Sequence, residues 1–221
     1  MRNKVFFFVL LLSSPLLYAH DVASSDHDFL LNGGLFAYLW VGAKHMLTGY
    51  DHLLFLVGVV FYLSKISDII KFISVFTLGH SVTLIAATFL KIEVNEYIID
   101  AIIGFSVLYK GFENLGGFKA LRLKAPSLLF MVGIFGLIHG LGLSARLQSL
   151  HLGEAQVLVK ILSFNLGVEL GQILALVPIV YGIRFIRSHE KTYASMYKAV
   201  NSYLIIAGLG LVIYQVYLYF A

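Results

Sequence analysis

The sequence predicts an all-α polytopic membrane protein with six transmembrane spans behind an N-terminal signal peptide. Three observations predict it. Of 221 residues, 59% are hydrophobic and only 13% are charged, about half the roughly 25% charged share of a soluble domain. The apolar residues form near-continuous runs at 34–64, 70–90, 97–116, 127–148, 157–186 and 201–220, rather than the alternation of a transmembrane barrel. Basic residues collect in every second loop between these runs, as they do in cytoplasmic loops.

Taken in order, residues 1–19 have the form of a secretory signal, with Arg2 and Lys4 ahead of a short apolar stretch at 6–12 and small residues toward Ala19. An uncleaved first helix is the alternative, and both place residue 20 outside the cytoplasm. Residues 20–33 form a short periplasmic leader that carries His20, Asp21, His27 and Asp28. Residues 34–221 then make a single helical membrane domain. Lys65 and Lys71, then Lys119, Arg122 and Lys124, then Arg184, Arg187, Lys191 and Lys198 mark three inner loops. Glu93, Glu96 and Glu154 mark the outer ones. Both mature termini are therefore expected to be periplasmic, in a bacterial inner membrane.

Segment 34–64 must cross once, yet its 31 residues would reach roughly 46 Å as one helix against a hydrocarbon core of about 30 Å. A break is expected at Thr48-Gly49-Tyr50, because glycine is a poor helix former. An outer or re-entrant helix would end near Leu47 and the true span would begin near Asp51. Broken helices at membrane depth are tolerated where they line a cavity.

Ionisable side chains inside spans are functional candidates. The first span carries Asp51 and His52, with His45 seven residues before His52. The second carries His80 and Ser81. The fourth carries His139, between Gly136 and Gly140. The fifth carries Asn165, Glu169 and Gln172 at i, i+4 and i+7, which would share a helix face. Four spans thus bring His52, His80, His139 and Glu169 to comparable depth. Imidazole and carboxylate together suit nickel, cobalt, zinc, copper or iron. Asp51, Ser81, Asn165 and Gln172 are suited to orienting the imidazoles. Each residue alone has a plainer reading, as a packed and hydrogen-bonded side chain or as interhelical glue. Glu113 and Asn114, beside Lys110, lie at an inner end and suggest a satisfied polar cluster or an exit-side group. Asp100 lies near an outer end, and His151 and His189 fall in loops.

The chain has no cysteine, so thiolate sites and disulfides are excluded. No phosphate loop, His-Glu-x-x-His or Gly-x-Ser-x-Gly motif occurs. The net charge of +4 is explained by membrane orientation and does not imply a nucleic-acid partner.

The stretches HMLTGYDHLLFLVG, FTLGHSVTL, FGLIHGLGLS and FNLGVELGQ, in this order from 45 to 172, resemble the HupE/UreJ family of hydrogenase and urease accessory membrane proteins. A looser resemblance joins Gly79-His80-Ser81 and the His45 to Asp51-His52 stretch to the nickel/cobalt transporter family. The first stretch has five intervening residues where that family has four. These resemblances imply secondary transport of nickel or cobalt, with Asp51, His52, His80, His139, Glu169 and His45 on the metal and Ser81, Asn165 and Gln172 behind them. They also imply nickel-enzyme maturation proteins as partners. No organic cofactor is expected, with nickel, cobalt or zinc as cargo or bound ion. The alternatives are an intramembrane zinc hydrolase, whose histidines would leave a coordination position open, and an accessory protein that binds metal without moving it.

Overall fold

A computed structural model describes residues 24–63, 65–149 and 156–221. The signal region, His20, Asp21, His151 and Glu154 lie outside the described residues. The described chain is all helix without strands: α1 Ser24–Asn32, α2 Gly34–Thr48, α3 Tyr50–Tyr62, α4 Ile66–Phe89, α5 Glu96–Asn114, α6 Gly117–Ala120, α7 Leu128–Ser149, α8 Val157–Arg187 and α9 Glu190–Phe220.

Four of these, α4, α7, α8 and α9, are long and apolar enough to cross a membrane. Helix α5 has 19 residues, about 28 Å of helix, but carries Glu96, Asp100, Lys110 and Glu113. The first apolar run is divided at Gly49, whose backbone is extended at φ −70° and ψ 96°. Its halves have 15 and 13 residues, roughly 22 and 20 Å long, and neither alone reaches across a core of about 30 Å. The helix that starts at Tyr50 is therefore shorter than the full span expected from about Asp51. It stops at Tyr62, where Leu63 turns extended. At the other end of the chain α9 begins at Glu190, eleven residues ahead of the apolar run at 201–220.

The helices pack as three close pairs, α2 with α8, α4 with α7 and α5 with α9. Glycine makes each approach possible. A Cβ on Gly171 would stand 2.6 Å from the Ala43 carbonyl oxygen, one on Gly79 2.9 Å from that of Gly133, and one on Gly208 2.7 Å from that of Gly104. Helix α3 lies among the pairs, with Asp51, His52 and every residue from 54 to 61 buried. Phe55 packs on Phe76 of α4 and Phe135 of α7, ring centroids 5.6 and 5.7 Å apart.

The far end of α3 is closed by polar groups. Arg187 donates to the carbonyls of Val60 and Phe61, at 3.2 and 2.8 Å. The Tyr193 hydroxyl donates to Phe61 as well, at 3.0 Å, and Asn114 donates to Gly58 at 2.8 Å. The last carbonyls of a helix have no partner within it. Where water is scarce they must find one elsewhere, and α8 and α9 supply it.

Candidate metal centre

The break at Gly49 puts two ionisable residues into the first turn of a buried helix. Asp51 and His52 are 1% and 3% exposed. A carboxylate is favoured there, because the N-terminus of a helix carries partial positive charge. Asp51 Oδ1 lies 3.0 Å from His52 Nδ1. Carboxylate oxygen only accepts, so Nδ1–H is the donor, and in the neutral imidazole Nε2 is then the nitrogen with the lone pair.

His139 arrives from α7. Its Nδ1 lies 2.6 Å from the carbonyl of Phe135, one turn earlier. A carbonyl also only accepts, so His139 too presents Nε2. Both imidazoles are thus held, through Nδ1, in the tautomer that binds metal through the other nitrogen. Their rings stand 4.8 Å apart between centroids.

Asp51, His52 and His139 each offer a ligand atom, and these atoms lie within 4.8 Å of one another. Donors around one transition-metal ion, at about 2.1 Å from it, stand roughly 3 to 4 Å apart, so small side-chain rotations close the set. His45 joins from α2, its ring 5.2 Å from that of His52 and 6.1 Å from that of Phe164. It is the most accessible of these residues, half-buried where the others are buried. The histidines thus run inward as His45, His52 and His139.

His80 stands next to this group. It is 1% exposed, faces His52 and Asn165, and stacks over Phe76 at 6.5 Å. Among the described residues, no group stands at hydrogen-bonding geometry to either of its ring nitrogens or to either amide atom of Asn165. Thr77, one turn before His80, donates to Gln172 Oε1 at 2.9 Å. The result is a buried polar pocket of His80, Asn165 and Gln172 beside the Asp51–His52–His139 group.

Glu169 does not face this pocket. It is exposed, although Asn165 and Gln172 on the expected stripe are buried, at 7% and 1% exposure. Gly167 and Gly171 press the opposite edge of this face against α2. The buried arc of α8 is thereby turned so that Glu169 falls at its margin, next to exposed Leu162, Leu166 and Ile173. Ser81 is half-buried beside His80. Asp100 lies away from the centre, 3.5 Å from Gln215 Nε2. His189 is exposed and packs on Phe185.

The sequence did not single out Phe76, Thr77 or Phe135. Phe76 touches three of the histidine rings, with centroids 6.3 Å from His52, 5.0 Å from His139 and 6.5 Å from His80. Thr77 and Phe135 had a usable signal, because they lie three and four residues before His80 and His139 and so share their faces.

The arrangement offers neutral nitrogen donors, one carboxylate and a dry aromatic wall. It suits a divalent transition metal rather than calcium or magnesium, which call for several oxygens. A dication on a single carboxylate would keep a net positive charge, which favours loose holding over permanent capture.

No curated protein and no solved structure matches the chain. A family model described as HupE / UreJ protein matches residues 25–221.

Proposed function

The chain belongs to the HupE/UreJ family, and from that premise we propose that it is a secondary permease for a divalent transition metal, with nickel as first choice and cobalt as second. The family is associated with nickel and cobalt accessory or transport function. The observation that carries the reading is the buried, tautomer-fixed group of Asp51, His52 and His139 at the junction of two half-helices. A metal cannot reach such a place unless the surrounding helices let it pass. His45 would receive the ion from outside and His80 would take part within, with Ser81, Asn165 and Gln172 orienting ligands. Glu169 has no direct role in this reading.

Six crossings are proposed for an inner-membrane location: α2 and α3 together, then α4, α5, α7, α8 and α9, with both mature termini in the periplasm. A doubly charged ion moving inward gains about 4.6 kcal/mol per 100 mV of membrane potential, so ion movement needs no nucleotide. Nickel-enzyme maturation proteins would receive the cargo.

The test is uptake of Ni²⁺ and Co²⁺ into proteoliposomes. The wild type should take up at least one of them, and His52→Ala and His139→Ala should abolish uptake while the protein still unfolds at its usual temperature. Purified protein that moves neither ion but retains stoichiometric zinc would replace the permease with a hydrolase. Binding without flux would replace it with a metal-holding accessory protein.

A further inference from the structure

His80 and Asn165 are 1% and 7% exposed and face each other from α4 and α8. Among the described residues, no group stands at hydrogen-bonding geometry to Nδ1 or Nε2 of His80, to Oδ1 or Nδ2 of Asn165, or to Nε2 of Gln172. Gln172 Oε1 is taken by the Thr77 hydroxyl at 2.9 Å, a bond that ties α8 to α4 at this level. Buried polar atoms are seldom left unpaired, because each gives up its bonds to water. Ring packing does not satisfy these atoms. The stack of His80 on Phe76 uses the face of the imidazole, and both nitrogens lie on its edge.

The balance of these atoms names the ligand. A cation needs acceptors gathered together, and an anion needs donors. Here a neutral imidazole offers one N–H and one lone pair, and Asn165 offers an NH₂ group and a carbonyl oxygen. Water meets such an even, uncharged set, because it both donates and accepts and holds a buried site through about three bonds.

The pocket also stands at the right remove from the metal centre. The ligand atoms that lie within 4.8 Å of one another belong to Asp51, His52 and His139, and His80 is not in that group. Yet His80 faces His52, and the Phe76 ring touches both. A nitrogen that reaches a metal through one water stands roughly 4 to 5 Å from the ion, a hydrogen bond plus a coordination bond.

We infer that His80 and Asn165 bind water molecules that complete the coordination of the ion held by Asp51, His52 and His139. His80 is then a positioning residue that acts on the metal through water. This role rests on the permease reading and gives its centre a preference. Zinc is satisfied by four ligands in a tetrahedron, whereas nickel and cobalt readily take further ones. A pocket that supplies water therefore favours nickel and cobalt. An ion that keeps part of its water also has less to regain when it leaves.

The visible absorption of Co²⁺ bound to the purified full chain tests this, since four-coordinate Co²⁺ absorbs strongly and Co²⁺ with more ligands absorbs weakly. The wild type should show the weak band. His80→Gln, whose amide bonds to water but is a poor metal ligand, should retain it. His80→Leu and Asn165→Leu should give the strong band and lower Co²⁺ affinity by about 10- to 100-fold, with Zn²⁺ affinity falling less. A strong band in the wild type overturns the water site, and its alteration by His80→Gln would make His80 a direct ligand. A weak band that neither leucine variant changes overturns the site as well. The permease reading survives each of these results, whereas a wild type that binds no Co²⁺ removes the centre and the water site together. Should both leucine variants fail to fold, His80→Gln decides, and a band that it alters overturns the site.

Discussion

At the scale of single residues, Asp51 and Glu169 are both acids inside apolar runs, yet they have opposite surroundings. Asp51 is buried at a helix start and bonded to His52. Glu169 is exposed. The sequence made both candidates because each lies in a run otherwise apolar. The place of Asp51 at a buried helix start was legible because a helix break has a local cause, the glycine at 49. The exposure of Glu169 was not legible, because the rotation of α8 is set by glycine contacts with α2, which no local pattern reveals. The two residues therefore separate experimentally. Asp51→Asn preserves size and removes the charge behind His52. Co²⁺ affinity should fall by about 10- to 100-fold, as it does when the partner of a ligating histidine is lost. Glu169→Gln should leave it unchanged. Titration followed by the visible absorption of bound Co²⁺ checks both, and a larger loss from Glu169→Gln would return that residue to the centre.

Elements were legible wherever length or apolarity decided them. The break at Gly49 followed from a run too long to cross once. The limits of α4, α5, α7 and α8 lie within a few residues of the expected runs. The start of α9 was not legible from apolarity, because EKTYASMYKAV is polar. Nothing in it opposes a helix, since it holds neither glycine nor proline, and helix formation by good formers does not require burial. Pairing of elements was the least legible, since glycines mark close approach without naming the partner helix. The consequence is specific to α8. A Cβ at Gly167 would meet the carbonyl of Leu39, whereas one at Gly182 meets nothing within 4 Å. Gly167→Ala should destabilise the fold by about 1–3 kcal/mol, the usual effect of overpacking. Gly182→Ala should be neutral or stabilise by up to about 1 kcal/mol, the helix propensity of alanine over glycine. Thermal unfolding in detergent separates them, and equal melting temperatures would mean that the α2–α8 contact yields freely.

At the scale of the whole molecule, the number of crossings decides which faces the loops occupy. Four helices suffice by length and apolarity. Helix α5 and the α2–α3 pair decide whether the total is six. Hydrogen bonds bring Asn114 of α5, the end of α3, Arg187 of α8 and the start of α9 together. The residues that follow, Lys65, Lys119 and Lys191, therefore belong to one end of the molecule, which is the arrangement that basic inner loops require. This supports a crossing by α5, since Lys110 and Asp100, the two charged groups away from its ends, are both buried, and exposed Glu96 stands at its first residue. Because the chain has no cysteine, single introduced thiols report sidedness without background. Ala221→Cys should react with a membrane-impermeant maleimide added to intact spheroplasts, and Arg122→Cys should react only after permeabilisation. Labelling of both from outside would make the number of crossings between them even where six spans require three. One of α7, α8 and α9 would then have to lie along the surface, and the centre at His139 would lose the enclosure that a transported ion needs.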